Sequence, residues 1–220
     1  MFIINCKNYD EIAGDKIIKI AKISEKISKK YKVPIAIAPP HHLIPLITKF
    51  KITVLAQHVD DKKIGSTTGF MVPEIVKKSK INGSIINHSE HRISEKEITS
   101  LVKRLTKLKL KSILCVKNVN EAKKYAKLNP TFIAIEPPEL IGTGRAISTE
   151  KPALISNAVK AVSSAKNSTK LLCGAGIVSG QDVSKAKELG SRGILVASGI
   201  VKAKNWEKII SEFCKGLKSQ

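Results

Sequence analysis

Short apolar runs and helix-like segments alternate eight times along the 220 residues of this chain, and that rhythm excludes most folds. The runs are Phe2–Asn5, Val33–Ala38, Ile52–Gln57, Ser84–Asn87, Ser112–Val116, Phe132–Glu136, Lys170–Cys173 and Gly193–Val196. They are continuous apolar or small-residue segments rich in β-branching, as strands covered on both faces are. Apolar residues recur at helical steps between them: Ala13, Ile17, Ile20, Ile27 and Tyr31 after the first run, and Ile98, Leu101, Val102, Leu105 and Leu108 after the fourth. Trp206, Ile209, Ile210, Phe213 and Leu217 define the last helix. His41 to Lys49 fits a short helix, Met71 to Lys80 another, and His58 to Thr68 a polar loop. Ser94 with Glu97 makes a capping box, while Asn118 with Glu121 and Ser179 with Asp182 mark further helix starts. Pro73 and Pro152 suit first turns, and Gly190 suits a C-terminal cap.

Shared among eight units, the chain allows about 27 residues each, near the minimum for a closed parallel (β/α)8 barrel. That leaves no room for a second domain, so one catalytic domain is expected over residues 1–220. An open doubly wound sheet would use fewer strands and usually a glycine fingerprint after the first; Asn5-Cys6-Lys7 is not one. Aromatic residues make up only 4% of the chain against 42% hydrophobic, so the core must be built from Ile, Val, Leu and Ala. No run approaches the roughly 18 apolar residues of a membrane span. Met1–Lys7 lacks the charged start and cleavage pattern of a signal peptide, so a cytoplasmic location without a membrane partner is expected. Cys6, Cys115, Cys173 and Cys214 are widely spaced and read as reduced residues in or near the core.

A net charge of +21 favours anionic partners, whether nucleic acid, an acidic surface or a phosphorylated metabolite. The lysines are spread over every helix, with no aromatic-interleaved basic patch that would stack bases, so no nucleic-acid partner is expected. The five histidines show no zinc-site spacing, and nothing requires a metal or an organic cofactor.

A barrel of this kind carries its site at the C-terminal strand ends. Those ends supply Asn5 and Lys7, Gln57, Asn87-His88-Ser89-Glu90, Glu136, and the small-residue turns Gly174-Ala175-Gly176 and Ala197-Ser198-Gly199. Glu136 closes its strand where the side chain is expected to leave the core. Pro137 and Pro138 then forbid both ladder and helix, and Gly142-Thr143-Gly144 gives a second hinge. Such a segment describes a base with a lid; it equally fits a solvated glutamate followed by an ordinary loop. The two turns can grip a phosphate with backbone N–H groups, or merely permit tight strand-to-helix turns. His88, at the start of a helical-looking turn whose positive end disfavours the imidazolium, can stay neutral and donate an N–H, or be a satisfied core residue. Lys7 offers a fixed positive charge with Glu90 as its partner.

Asn5-x-Lys7, Ala56-Gln57, Asn87-His88-Ser89-Glu90-x-Arg92, Glu136-Pro137 through Gly144, Gly174-Ala175-Gly176 and Val196-Ala197-Ser198 together resemble the triose-phosphate isomerase family over the whole chain, in its short archaeal-type branch. The resemblance implies a TIM barrel that interconverts dihydroxyacetone phosphate and glyceraldehyde 3-phosphate. It also implies Glu136 as base, neutral His88 as electrophile, and Lys7 with Asn5 steadying the enediolate, a pairing of groups for which that family is itself the familiar example. Cys6, Ile141, Gly142, Gly176, Ala197 and Ser198 would contact substrate or phosphate, with Ser89 and Glu90 in support. A triose phosphate is then the partner, without cofactor, and a homotetramer or dimer is implied; the segment Asp60 to Gly69, which resembles a subunit-bridging loop, is short. Three departures fall on the lid and phosphate contacts: Pro138-Glu139 where tryptophan is usual, Ala197-Ser198 for two glycines, and Gly176 for serine. Another phosphate-binding barrel enzyme would share the two turns but not the combination of Lys7, His88 and Glu136.

Overall fold

The computed structural model describes residues 1–140 and 146–218. Eight parallel strands, β1 (Phe2–Asn5), β2 (Ile35–Ala38), β3 (Thr53–Ala56), β4 (Gly83–Ile86), β5 (Lys111–Val116), β6 (Phe132–Ile135), β7 (Lys170–Cys173) and β8 (Ile194–Val196), pair in chain order. β8 returns to β1 with Phe2 opposite Ile194, so the sheet closes into a single-domain (β/α)8 TIM barrel. Closure is tight: a Cβ on Gly193 would collide with the Met1 carbonyl, which accepts the Ile194 N–H at 3.1 Å.

Helices α1 (Lys16–Tyr31), α2 (Ile44–Ile47), α3 (Pro73–Lys78), α4 (Glu95–Lys107), α5 (Val119–Ala126), α6 (Ile147–Glu150), α7 (Pro152–Ser163), α8 (Gly180–Glu188), α9 (Ser198–Val201) and α10 (Trp206–Lys218) surround it. α4, α5 and α8 start where side chains cap them. Ser94 and Glu97 exchange both bonds of a capping box, as do Ser179 and Asp182, and Asn118 accepts from the Glu121 N–H. α10 packs on both α1 and α8, and Phe213 stacks on Phe2 with ring centroids 5.7 Å apart. All four cysteines are free and buried.

Side-chain alternation then positions the site. Ile3, Leu55, Ile85, Ala134, Leu172 and Leu195 point into the barrel and form an inner core separate from the one beneath the helices. Two residues further along each strand direction stand Asn5, Gln57, Asn87, Glu136, Gly174 and Ala197. The polar residues at the barrel mouth are thus the next layer of its interior. Several strands are one or two residues shorter than their apolar runs. Asn87, expected within β4, instead lies just beyond it with φ 58°, and Glu136 lies just beyond β6.

Candidate active site

The mouth of the barrel holds a pocket, partly open to solvent, where Lys7, His88, Glu136, Gly176 and Ser198 meet. Lys7 occupies the left-handed region at φ 45°, unusual for a residue with a side chain. Its backbone is held on both sides: its N–H donates to Asn5 Oδ1 at 3.0 Å, and its carbonyl accepts from Gln57 Nε2 at 3.0 Å. Glu90 Oε1 holds its ammonium at 2.7 Å, the pairing expected from the sequence.

His88 sits in a turn, not a helix, closed by the His91 N–H donating to its carbonyl at 2.9 Å. The loop is anchored from below. Asn87 Nδ2 donates to the Cys115 carbonyl at 3.0 Å, Asn87 Oδ1 accepts the Ile93 N–H at 3.2 Å, and Arg92 Nη1 donates to the Asn87 carbonyl at 2.8 Å. The Glu90 N–H donates to His88 Nδ1 at 3.2 Å, so Nδ1 is the acceptor and a neutral ring carries its proton on Nε2. Burial drives the ring's pKa down to about 4; Glu90 opposes this, while Lys7 and Arg92 add to it. Neutrality therefore comes chiefly from desolvation, and the helix end expected from the sequence is not needed.

Glu136 does not leave the core. It is 3% exposed, because it continues the inward parity of Phe132 and Ala134, and its N–H extends the ladder to the Val116 carbonyl at 2.8 Å. A solvated glutamate is thereby excluded. Oε1 lies 3.6 Å from His88 Nε2, while Oε2 receives no hydrogen bond of ordinary geometry among the described residues. The Cys115 thiol beside the carboxylate is only a weak donor. Burial raises the carboxyl pKa to about 7 against the lowering effects of Cys115, Lys7 and Arg92. Pro137 and Pro138 do end the strand, but Pro138–Leu140 continues as a 3-10 turn, contrary to the expected break.

Opposite these groups the chain presents backbone. Gly176, at φ 68°, turns it after β7, and α9 follows β8 directly. The N–H groups of Gly176, Ser198 and Gly199 donate to no protein atom among the described residues, so an anion can take them. Ile141 and Gly142 lie outside the described residues. Cys6 is fully buried in the outer core, its N–H donated to the Ala38 carbonyl, and it adds nothing to the cavity wall. The buried Oγ of Ser89 has no hydrogen-bond partner among the described residues. Tyr9, which the sequence did not single out, lines the cavity two residues beyond Lys7, with Lys202 Nζ 4.7 Å from its ring centroid. A neighbouring cleft holds His58 and His91, stacked 3.9 Å apart. Among the described residues no three potential ligands come together to hold a metal ion.

Two ionisable groups driven in opposite directions by one environment, at the C-terminal mouth of a parallel barrel, define an enzyme class that moves protons. The family is narrower still. The family model described as triosephosphate isomerase matches residues 1–213. A triosephosphate isomerase of Cenarchaeum symbiosum is 52% identical over 99% of this chain and 97% of its own length. Triosephosphate isomerases of Methanocaldococcus jannaschii and Saccharolobus solfataricus are 42% and 43% identical, covering 98% and 97% of this chain and 99% and 94% of their own. The chain belongs to the triosephosphate isomerase family, a family of isomerases.

Proposed function

We propose that this chain, as one catalytic domain over residues 1–220, interconverts dihydroxyacetone phosphate and D-glyceraldehyde 3-phosphate through an enediolate. Glu136 takes the proton from one carbon and returns it to the next. His88 donates its Nε2 proton towards the carbonyl oxygen, and Lys7, steadied by Asn5 and Glu90, balances the charge that develops there. The free N–H groups of Gly176 and Ser198, with Ala197 beside them and Ile141 and Gly142 from the loop, hold the phosphate. The observation that carries this reading is the 3.6 Å approach of Glu136 Oε1 to His88 Nε2. Neither acid–base role calls for a metal or cofactor. No described helix is long and apolar enough to cross a membrane, and we place the enzyme in the cytoplasm.

The test is a coupled assay on D-glyceraldehyde 3-phosphate with no added metal or cofactor, followed against pH. The base must be ionised and its pKa stands near 7, so kcat/KM should fall about tenfold per pH unit below 7 and level off above it. His88 stays neutral over that whole range, since its pKa is about 4. A well-folded protein without turnover would refute the proposal.

We also propose a homo-oligomer, a tetramer by the archaeal resemblance. Arg104 clamps the segment after β3 through Glu74 (2.5 and 2.7 Å) and Asp61 (3.1 Å), yet Ile64, Phe70 and Ile75 on it are about half exposed. Apolar side chains held outward on an anchored segment suit a partner surface. Sedimentation equilibrium should give a multiple of 24.0 kDa, and a monomer mass would dismiss the assembly.

A further inference from the structure

Gly174 lies just beyond β7 on the inward side of the barrel, and neither usual reason for a glycine applies to it. Its φ is not in the left-handed region, so its backbone does not require the absence of a side chain. Its N–H already donates to the Ile135 carbonyl at 3.1 Å, so that group is not offered to an anion as those of Gly176 and Ser198 are. What remains is space. A Cβ at this position would stand 2.5 Å from Cγ of Glu136, 3.0 Å from its Oε1 and 3.1 Å from its Cδ, well inside van der Waals contact.

We infer that Gly174 is a positioning residue for Glu136: the space left by its missing side chain is the slot in which the carboxylate lies to face His88. The inference rests on the reading of Glu136 as the base. The other walls of the slot leave little freedom, with His88 Nε2 at 3.6 Å and the buried Cys115 thiol alongside. The three atoms nearest to such a Cβ all belong to the Glu136 side chain, so substitution presses first on the glutamate and not on the strand backbone. A base shifted by about 1 Å is expected to lose on the order of a hundredfold in rate.

The experiment is Gly174→Ala, made in the wild-type chain and in Glu136→Ala, with inorganic phosphate as a competitive probe of the anion site. In the wild-type background kcat should fall about a hundredfold while the inhibition constant for phosphate stays within about twofold. The thermal midpoint should also drop in that background and not in Glu136→Ala, where Cγ is gone. A kcat within about threefold of wild type, phosphate inhibition weakened in step with kcat, or the same loss of midpoint in both backgrounds would each overturn the inference. Glu136→Ala alone tests the underlying reading: if it turns over at the wild-type rate, Glu136 is not the base, whatever Gly174→Ala does.

Discussion

Glu136→Gln should lose on the order of a thousandfold or more in kcat and yet melt several degrees above the wild type at pH 8. Both effects come from one cause. The amide has the shape of the carboxylate but cannot accept the substrate's proton, and a positioned general base contributes up to about 10⁴-fold. The folded-state pKa of Glu136, about 7, stands above its ordinary value of 4.5. The folded protein therefore holds that proton more tightly than the unfolded chain, and the group's stabilising contribution is lost as pH rises through 7. Above that pH the buried carboxylate costs on the order of 3 kcal/mol. Glutamine removes the charge but leaves a buried amide poorly paired, which returns roughly 1–2 kcal/mol of the gain. A net benefit of about 1–2 kcal/mol corresponds to roughly 2–8 °C for a domain of this size. At pH 5 the wild-type carboxyl is protonated in the folded protein, so most of that cost is gone while the amide's penalty remains, and the difference should vanish or reverse. Calorimetry at the two pH values checks this, and an equal difference at both would refute the account. The site is thus destabilised where it is expected to be most useful, an ordinary trade between stability and activity.

The barrel itself is legible because its information is local. Strand and helix periods, the caps at Ser94, Asn118 and Ser179, and the prolines opening α3 and α7 each act within a few residues. The direction of Glu136 was not legible in the same way. A strand covered on both faces carries no polar–apolar alternation, so the sequence does not mark which side faces the axis and which the helices. Only the closed sheet, with Phe132 and Ala134 inside, decides it. The state of His88 is a similar case: its low pKa comes from burial, with Lys7 beyond β1 and Arg92 in the loop after β4 adding to it, and the acceptor role of Nδ1 from one backbone N–H two residues on. The left-handed turns at Lys7 and Asn87 were hidden because neither residue is glycine. Side-chain bonds from Asn5, Arg92 and Gln57, the last 50 residues from Lys7, accompany those conformations. Gly174, conversely, looked like half of a phosphate turn, and only its neighbour shows what its missing side chain does.

Lys7→Met should lower kcat/KM by about 10²–10³, the loss typical when one preorganised group that balances transition-state charge is removed. The substitution keeps the apolar stem of the side chain and deletes only the ammonium. Little stability should go with it. The salt-bridge partner Glu90 is 58% exposed and can rehydrate, and an exposed pair is worth about 0–1 kcal/mol. The backbone bonds from Asn5 and Gln57 to residue 7 do not involve the side chain that changes. A second consequence separates a charge effect from simple loss of binding. Lys7 lowers the pKa of Glu136 and also that of His88, so deleting its charge lets both rise. His88 starts near 4 and stays neutral at the pH of the assay, but Glu136 starts near 7, where any rise removes ionised base from the working range. The acid limb of the kcat/KM profile should accordingly move above pH 7 in Lys7→Met, with a loss that is larger at pH 6 than at pH 9. A profile lowered uniformly, its limb unmoved, would mean that the ammonium acts on the substrate alone and not on the base that it faces across the cavity.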